Sequence, residues 1–392
     1  MSTLGVGMIG FGFIGKVHCH AHLSLPLFYD PVPASTKLVG VCTATEAGGE
    51  KAIRQCGFQF STTNYRELIA RPDIDLIHIC TPNNAHRDAI IEALRAGKHI
   101  YCDKPLALNL PDAIEICDIA SSMNTVQQMT FNYRFVPAML RAREIVESGF
   151  LGDLFQFRVA YLHAGYIDPA RPYSWRTSFA RSGGGAIADL GSHIIDLTRF
   201  LFGPGTQVGR GGEIDAVRAE LQTVVKERLD PRTGRMETVD VDDIALVQCR
   251  LTGGAIGTLE ASRMATGVQD ELRVELHGSR GGLRFNLMDP NWLDAYDATT
   301  PETALGGDRG YRRIECVCRY PKPYAFGAVK NTVGWPSFHI QSLYDFVNNV
   351  ALVRNGGAMS VRSPSFKDGL EAQRVIDACL RSSKSDRGWT HV

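Results

Sequence analysis

Leu4-Gly5-Val6-Gly7-Met8-Ile9-Gly10-Phe11-Gly12-Phe13-Ile14-Gly15 stands at the head of the chain, and its reading decides the fold. The apolar run suits a strand buried on both faces, and it stops at Gly10. From there the spacing Gly10, Gly12, Gly15 is G-x-G-x-x-G. In a strand–turn–helix unit the first glycine makes the tight turn. The second lets a pyrophosphate approach the backbone, and the third lets the helix sit against the strand. A helix starting near Phe13 offers its free N–H groups and positive dipole end to the phosphates. Glycine-rich turns also close ordinary βα units, so the context matters: the turn follows a strand, and further strand–helix units come after it. Gly10, Phe11, Gly12, Phe13, Ile14 and Gly15 are therefore candidate dinucleotide contacts.

With 392 residues the chain is too long for one ordinary core, and two domains are expected, 1–131 and 132–392. Hydrophobic residues make up 44% and charged residues 21%, the balance of a soluble globular protein. Lys+Arg and Asp+Glu both number 42, so no global field draws the chain to nucleic acid or an anionic membrane. No apolar run approaches the roughly 20 residues that span a bilayer, and no signal peptide precedes the first strand. The ten cysteines are scattered, without the spacing of a disulfide framework or zinc site; Cys316-x-Cys318 is too close for a zinc knuckle. A reduced, cytoplasmic protein is expected.

A helix is read over 13–24. It carries His18 and His22 on one face, a spacing that suits a metal pair, but no further ligand stands nearby and a packed or solvated face is the plainer reading. The second strand, 37–42, ends at Thr43, where an acid usually holds the adenosine ribose 2′-hydroxyl. No Arg stands there to clamp a 2′-phosphate, so NAD is favoured and NADP stays open. The strand 74–80 runs into Thr81-Pro82-Asn83-Asn84-Ala85-His86, a polar loop at the carboxyl end of a strand, where open α/β sheets bind ligands. After helix 86–96 and strand 98–102 comes Asp103-Lys104-Pro105. A lysine there faces the cofactor crevice, and the bond before the proline is one that can be cis. Helix 111–122 and strand 125–131 finish this half.

Together Gly10-x-Gly12-x-x-Gly15, Thr81-Pro82-Asn83-x-x-His86 and Asp103-Lys104-Pro105 resemble the glucose–fructose oxidoreductase/inositol dehydrogenase (Gfo/Idh/MocA) family. Gly183-Gly184-Gly185-Ala186-Ile187-Ala188-Asp189-Leu190-Gly191-Ser192-His193 resembles that family's G-G-G-x-x-x-D-x-x-x-H. The likeness runs over nearly the whole chain and looks nearest to the levoglucosan dehydrogenase-like subgroup of sugar and anhydrosugar dehydrogenases. Two departures stand out. The usual Glu-Lys-Pro is Asp103-Lys104-Pro105, and the acid after the second strand is Thr43. The resemblance implies Thr43, Thr81, Pro82, Asn83, His86, Asp103 and Lys104 as cofactor contacts.

The second half changes pattern. A helix is read over 137–148, and 154–162 alternates with period two, a strand with one covered face. Further strands are read over 243–251, 254–263, 271–277 and 281–286. The expected architecture is therefore α/β plus α+β: a Rossmann domain, then an open, mainly antiparallel sheet with helices on one face. The bare face is a candidate homo-oligomer surface, dimer or tetramer, as the resemblance also implies. Segments 204–240 and 287–335 read as long loops over the substrate mouth.

Helix 186–202 puts Asp189, His193 and Asp196 at i, i+4, i+7 on one face. Alone, a mid-helix Asp and His are more often a helix-surface pair; the resemblance makes Lys104, Asp189 and His193 catalytic. Oxidising a secondary alcohol needs a base, and an imidazole titrating near about 6.5 serves. Lys104 would favour the developing alkoxide, and Asp189 would orient the imidazole or bond a neighbouring hydroxyl. Tyr133, Arg134, Tyr161, His163, Trp175, Arg176 and His339 are candidate polyol contacts, while Trp175 equally suits packing. His339 is placed in helix 337–353, and a last helix, 366–381, reads as structural. The implied activity is oxidation of a ring alcohol of a sugar, anhydrosugar or cyclitol, or its reverse. Two other readings exist on this fold. A silent nucleotide sensor or transcriptional co-regulator would not need Lys104, Asp189 and His193 together. An enzyme cleaving glycosidic bonds with NAD kept bound would carry other motifs.

Overall fold

Six strands of the first half, β1 (Thr3–Ile9), β2 (Ser35–Cys42), β3 (Phe60–Thr62), β4 (Leu76–Ile79), β5 (His99–Cys102) and β6 (Gln127–Met129), form one sheet. Their order is β3-β2-β1-β4-β5-β6 and every pairing is parallel. That is the doubly wound order whose direction reverses beside β1, leaving a crevice at the carboxyl ends of β1 and β4. β4 is buried throughout and β1 from Leu4 onward, as apolar strands covered by helices on both faces must be.

The computed structural model describes residues 3–203, 205–206, 208–317, 331–360, 362–385 and 388–392. Two compact units emerge: Met1–Asn132 with Gly334–Gln373, and Tyr133–Val333 with Arg374–Val392. The boundary expected after 131 therefore needs a correction, because 334–373 return to the first unit. The cause is apolar. Helix Trp335–Arg354 buries Phe338, Leu343, Phe346, Val347 and Val350 and packs on helix Phe13–Phe28.

Between these helices and the sheet lies a row of buried histidines. His22 Nδ1 is 3.0 Å from Thr36 Oγ1, and His22 Nε2 is 3.0 Å from His78 Nε2. His78 Nδ1 is 3.1 Å from His18 Nδ1, which also meets Cys80 Sγ at 3.2 Å. The helical pair His18/His22 is thus a packed face, bonded into the sheet through His78. Among the described residues no group of three ligating side chains is arranged to hold a metal ion.

In the second unit nine strands form a sheet: β7 (Leu154–Leu162), β8 (Ile214–Gln222), β11 (Ile244–Leu251), β12 (Ile256–Ser262), β13 (Glu271–Gly278), β14 (Gly281–Asn286), β15 (Trp292–Asp297), β16 (Tyr311–Glu315) and β17 (Thr390–His391). The order is β16-β15-β14-β13-β7-β12-β11-β8-β17, antiparallel except where β7 and β12 run parallel. A separate hairpin joins β9 (Glu227–Asp230) to β10 (Arg235–Thr238). Helix Gly191–Phe202 packs on β7 and β12. Alternate residues such as Leu246, Ile256, Arg158 and Glu260 stand exposed on the strands.

Three expectations change here. Segment 204–240 is no loop, since it carries β8, β9 and β10; the charged exposed residues Asp215, Arg218 and Glu220 mask the period-two burial of β8. Likewise 287–335 carries β15 and β16, while Cys318 lies outside the described residues. The single helix read over 186–202 is two pieces, Ala186–Asp189 and Gly191–Phe202, meeting at Leu190. No helix among the described residues is long and apolar enough to cross a membrane.

Candidate active site

The glycine turn divides its work as the spacing requires. Gly10 has φ +97°, and a Cβ there would lie 2.5 Å from the Cys80 carbonyl oxygen, so only glycine takes this turn. A Cβ on Gly15 would lie 2.4 Å from the Gly10 oxygen, which fixes how closely helix Phe13–Phe28 meets the strand. On Gly12 a Cβ would meet nothing within 4 Å. That open side, at the first turn of a 16-residue helix, fits a pyrophosphate. At the carboxyl end of β4 the buried Thr81 Oγ1 has no hydrogen-bond partner among the described residues. At the end of β2, Thr43 spends its hydroxyl on the Thr45 carbonyl, 2.7 Å away, and no basic residue lies between Thr43 and Gly49.

Lys104 follows β5, in a turn that Asp103 braces: its carboxylate accepts from Lys104 N and from Thr130 Oγ1, both at 2.9 Å. The Lys104–Pro105 bond is cis. His86, expected as a cofactor contact, is fully buried. Its ring nitrogens face the carbonyls of Thr81 (3.0 Å) and Leu106 (3.3 Å), so it ties the Thr81 loop to the Lys104 loop instead. Asn83 is buried at the start of its short 3-10 turn. His339 is buried against Trp335, ring centroids 4.3 Å apart, and 6.2 Å from His18. Neither of its ring nitrogens has a partner among the described residues.

In the second unit the triple glycine is explained by Asp242. Its carboxylate accepts from Gly185 N at 2.7 Å and Ile187 N at 2.8 Å, capping the helix that ends in Asp189. A Cβ on Gly185 would lie 1.7 Å from the Asp242 carbonyl oxygen, so nothing larger fits. Burial pushes the Asp242 carboxyl above the usual carboxylate range, against the pull of those N–H groups and Arg263. Asp189 is held by the buried Arg263, whose Nη2 donates to Asp189 Oδ2 at 2.9 Å. Arg263 also donates to the Arg176 carbonyl (3.3 Å) and lies over the Tyr166 ring.

His193 lies in the first turn of helix Gly191–Phe202 and is buried. Tyr133 and Tyr161 stand edge-on to its ring, at centroid distances of 4.8 and 5.8 Å. Of the expected polyol contacts these two therefore gather beside His193. Arg134 does not serve that role: it is buried in a bidentate pair with Asp196, at 2.8 and 2.5 Å, and lies over the Phe200 ring. That pair also accounts for Asp196. Trp175 and Arg176 stack on each other at 4.3 Å, half-buried. His163 Nδ1 accepts from Gly165 N at 3.0 Å within its own turn, and burial lowers its pKa.

Sequence reading missed Arg263, Asp242 and Asp270. The signal for Asp242 was the run Asp240-Val241-Asp242-Asp243, in which each carboxylate accepts backbone N–H groups, from Phe179, from Gly185 and Ile187, and from Val224 and Val225. Arg263 and Asp270 sit among polar strand-end residues and carried no local signal.

A nucleotide turn on a 3-2-1-4-5-6 sheet, joined to a mixed-sheet unit carrying an Arg263-held Asp189 and a buried His193, defines a nicotinamide-dependent oxidoreductase of two-unit design. The chain belongs to the GFO/IDH/MocA family: residues 4–131 match its NAD-binding Rossmann domain and residues 139–284 its C-terminal domain. It is similar to levoglucosan dehydrogenase of Pseudarthrobacter phenanthrenivorans, 33% identical over all of this chain and 99% of that protein. Inositol 2-dehydrogenase of Rhizobium meliloti is 27% identical over 98% of each. Among solved structures, levoglucosan dehydrogenase in complex with NADH and levoglucosan matches with a TM-score of 0.90, 33% identity and full coverage of both chains.

Proposed function

We propose that the protein oxidises a ring secondary alcohol of a sugar, anhydrosugar or cyclitol to the ketone, or runs the reverse, with NAD as its cofactor. The observation that carries this reading is the full-length likeness to levoglucosan dehydrogenase in a chain that has Lys104, Asp189 and His193 all in their motif positions. The open side of Gly12 and the crevice beside β4 would hold the pyrophosphate, and Thr43, with no basic neighbour, favours NAD over NADP. When bound, NAD supplies the hydride-accepting chemistry. His193 takes the hydroxyl proton. Lys104 donates a hydrogen bond to the same oxygen and favours the alkoxide as it forms, an effect of about 3–4 kcal/mol in comparable oxyanion sites. Asp189, fixed by Arg263, bonds a substrate hydroxyl or sets the imidazole.

Levoglucosan, myo-inositol and a panel of free sugars, assayed with NAD and with NADP by reduced-nicotinamide absorbance, test it. Turnover is expected with NAD on at least one anhydrosugar or cyclitol, at a kcat/KM at least tenfold above that with NADP. No turnover on any polyol with either cofactor overturns the reading.

The exposed face of the nine-stranded sheet is proposed to cover itself with a second copy, since a broad face bearing Leu246 and Ile256 needs a partner. Sedimentation velocity should show a particle of two or four 43.0 kDa chains, which Leu246→Glu with Ile256→Glu dissociates. A single-chain particle for the native protein contradicts it.

A further inference from the structure

The wall beside His193 holds a chain of hydroxyl groups that the reaction as described leaves unused. The Tyr133 and Tyr161 hydroxyl oxygens are 2.6 Å apart, and Tyr161 donates to Asp270 Oδ1 at 2.7 Å. A carboxylate has no proton to give, so the Tyr161 proton points to Asp270. The Tyr161 oxygen must then accept from Tyr133, and the Tyr133 proton points the same way. One half-buried carboxylate at the far end thus sets the direction of both bonds. Both phenols are buried, and burial together with Tyr133 and Asp270 holds the Tyr161 hydroxyl well above its ordinary pKa. Tyr161 therefore stays protonated, and its bond to Asp270 keeps its direction.

We propose that Asp270 is a positioning residue: through Tyr161 and Tyr133 it orders the hydroxyl chain so that the phenol packed on His193 keeps its proton on the Tyr161 side. An oxygen with its proton turned away favours a positively charged neighbour. The imidazole that has just taken the substrate proton is that neighbour, so the assignment rests on reading His193 as the base. If Asp270 were neutral, the two hydroxyl bonds could reverse, and the Tyr133 hydroxyl dipole would no longer be fixed beside the ring it packs on. Among the described residues of this unit, charged groups around this wall include the Asp189–Arg263 pair, the Arg134–Asp196 pair one turn along the helix, and Arg171, while His163 lies in the field of Asp270.

The test follows the His193 ring by NMR in the full chain, its signals assigned by their loss in His193→Gln, across pH titrations of the wild type, Asp270→Asn, Tyr161→Phe and the double variant. Each single variant is expected to lower the His193 pKa by about half a unit or more. Because the two act in series, the double variant should shift it no further than the larger single one. Tyr161→Phe keeps the packing, so a misfolded Asp270→Asn leaves the test standing. A His193 pKa unmoved in the variants, or shifts that simply add, overturns the proposal. Turnover of His193→Gln decides the separate question: if it stays near wild type, His193 is not the base, while the titration still reports on the hydroxyl chain.

Discussion

Lys104→Ala and His193→Ala are each expected to lower kcat by about 10²- to 10⁴-fold, while the dissociation constant for NADH stays within about threefold of wild type. Under the proposed mechanism the two losses have different origins. Removing His193 takes away the acceptor for the hydroxyl proton, so the alcohol must lose it to water. Removing Lys104 takes away the charge that favours the alkoxide. Groups acting in one step are not additive, so the double variant should be little slower than the worse single one. His193 is buried between two phenols, so alanine also leaves a cavity there; His193→Gln keeps most of the volume and should lose comparable rate. Stopped-flow turnover with NAD, alongside nucleotide binding by fluorescence, separates chemistry from cofactor affinity. Both alanine variants turning over within threefold of wild type would remove the pair from the mechanism. A loss confined to KM would make them substrate contacts only.

What the sequence exposed and what it hid follow from range. The glycine turn is local: Gly10, Gly12 and Gly15 act on one another and on the adjacent strand, so spacing alone carries their roles. The period-two alternation of β7 is local as well, and its expected bounds, 154–162, coincide with the strand observed. Asp242 reaches back 57 residues to Gly185, and no spacing rule links them. Arg134 looked like a ligand contact because it follows Tyr133 near the expected mouth. Its partner Asp196 lies 62 residues away, and that pair consumes it. Helix Trp335–Arg354 joins the first unit because its apolar face meets helix Phe13–Phe28, a match of surfaces that chain order conceals. Fold class, which rests on local patterns, was thus legible. The supports of the site, which rest on distant pairs, were not.

Acid should unfold this protein at a higher pH than its carboxylates alone would dictate. Burial pushes His18 down to about 4 and His22 down to about 3, and it holds His78 between them well below the usual imidazole range. His99, bonded to Val126 N, is pushed down to about 4. In the unfolded chain each ring takes its proton near about 6.5. The folded state refuses these protons, so the unfolded state binds more of them below that pH. Stability present above pH 6.5 is therefore lost as the pH falls from 6.5 toward 4. One ring held neutral to pH 4 loses about 3 kcal/mol over that window. The rings share neighbours, so the sum over the cluster is smaller than three or four times that. The depressed carboxylates Asp73, Asp230, Glu271 and Asp297 add their losses only below about pH 4.5. Asp242, with its raised pKa, works in the opposite direction. Urea unfolding between pH 6.5 and 5 thus isolates the imidazoles, and the unfolding free energy should fall by at least about 2 kcal/mol per pH unit near the lower end. His78→Gln, which keeps hydrogen-bonding groups between His22 and His18 but cannot titrate, should flatten that slope by about one proton's worth, 1.4 kcal/mol per pH unit, whatever it does to the stability at pH 7. A free energy independent of pH between 6.5 and 5, or a slope unchanged in His78→Gln, would mean that the buried rings accept protons in place and that the row from Thr36 to Cys80 tolerates charge.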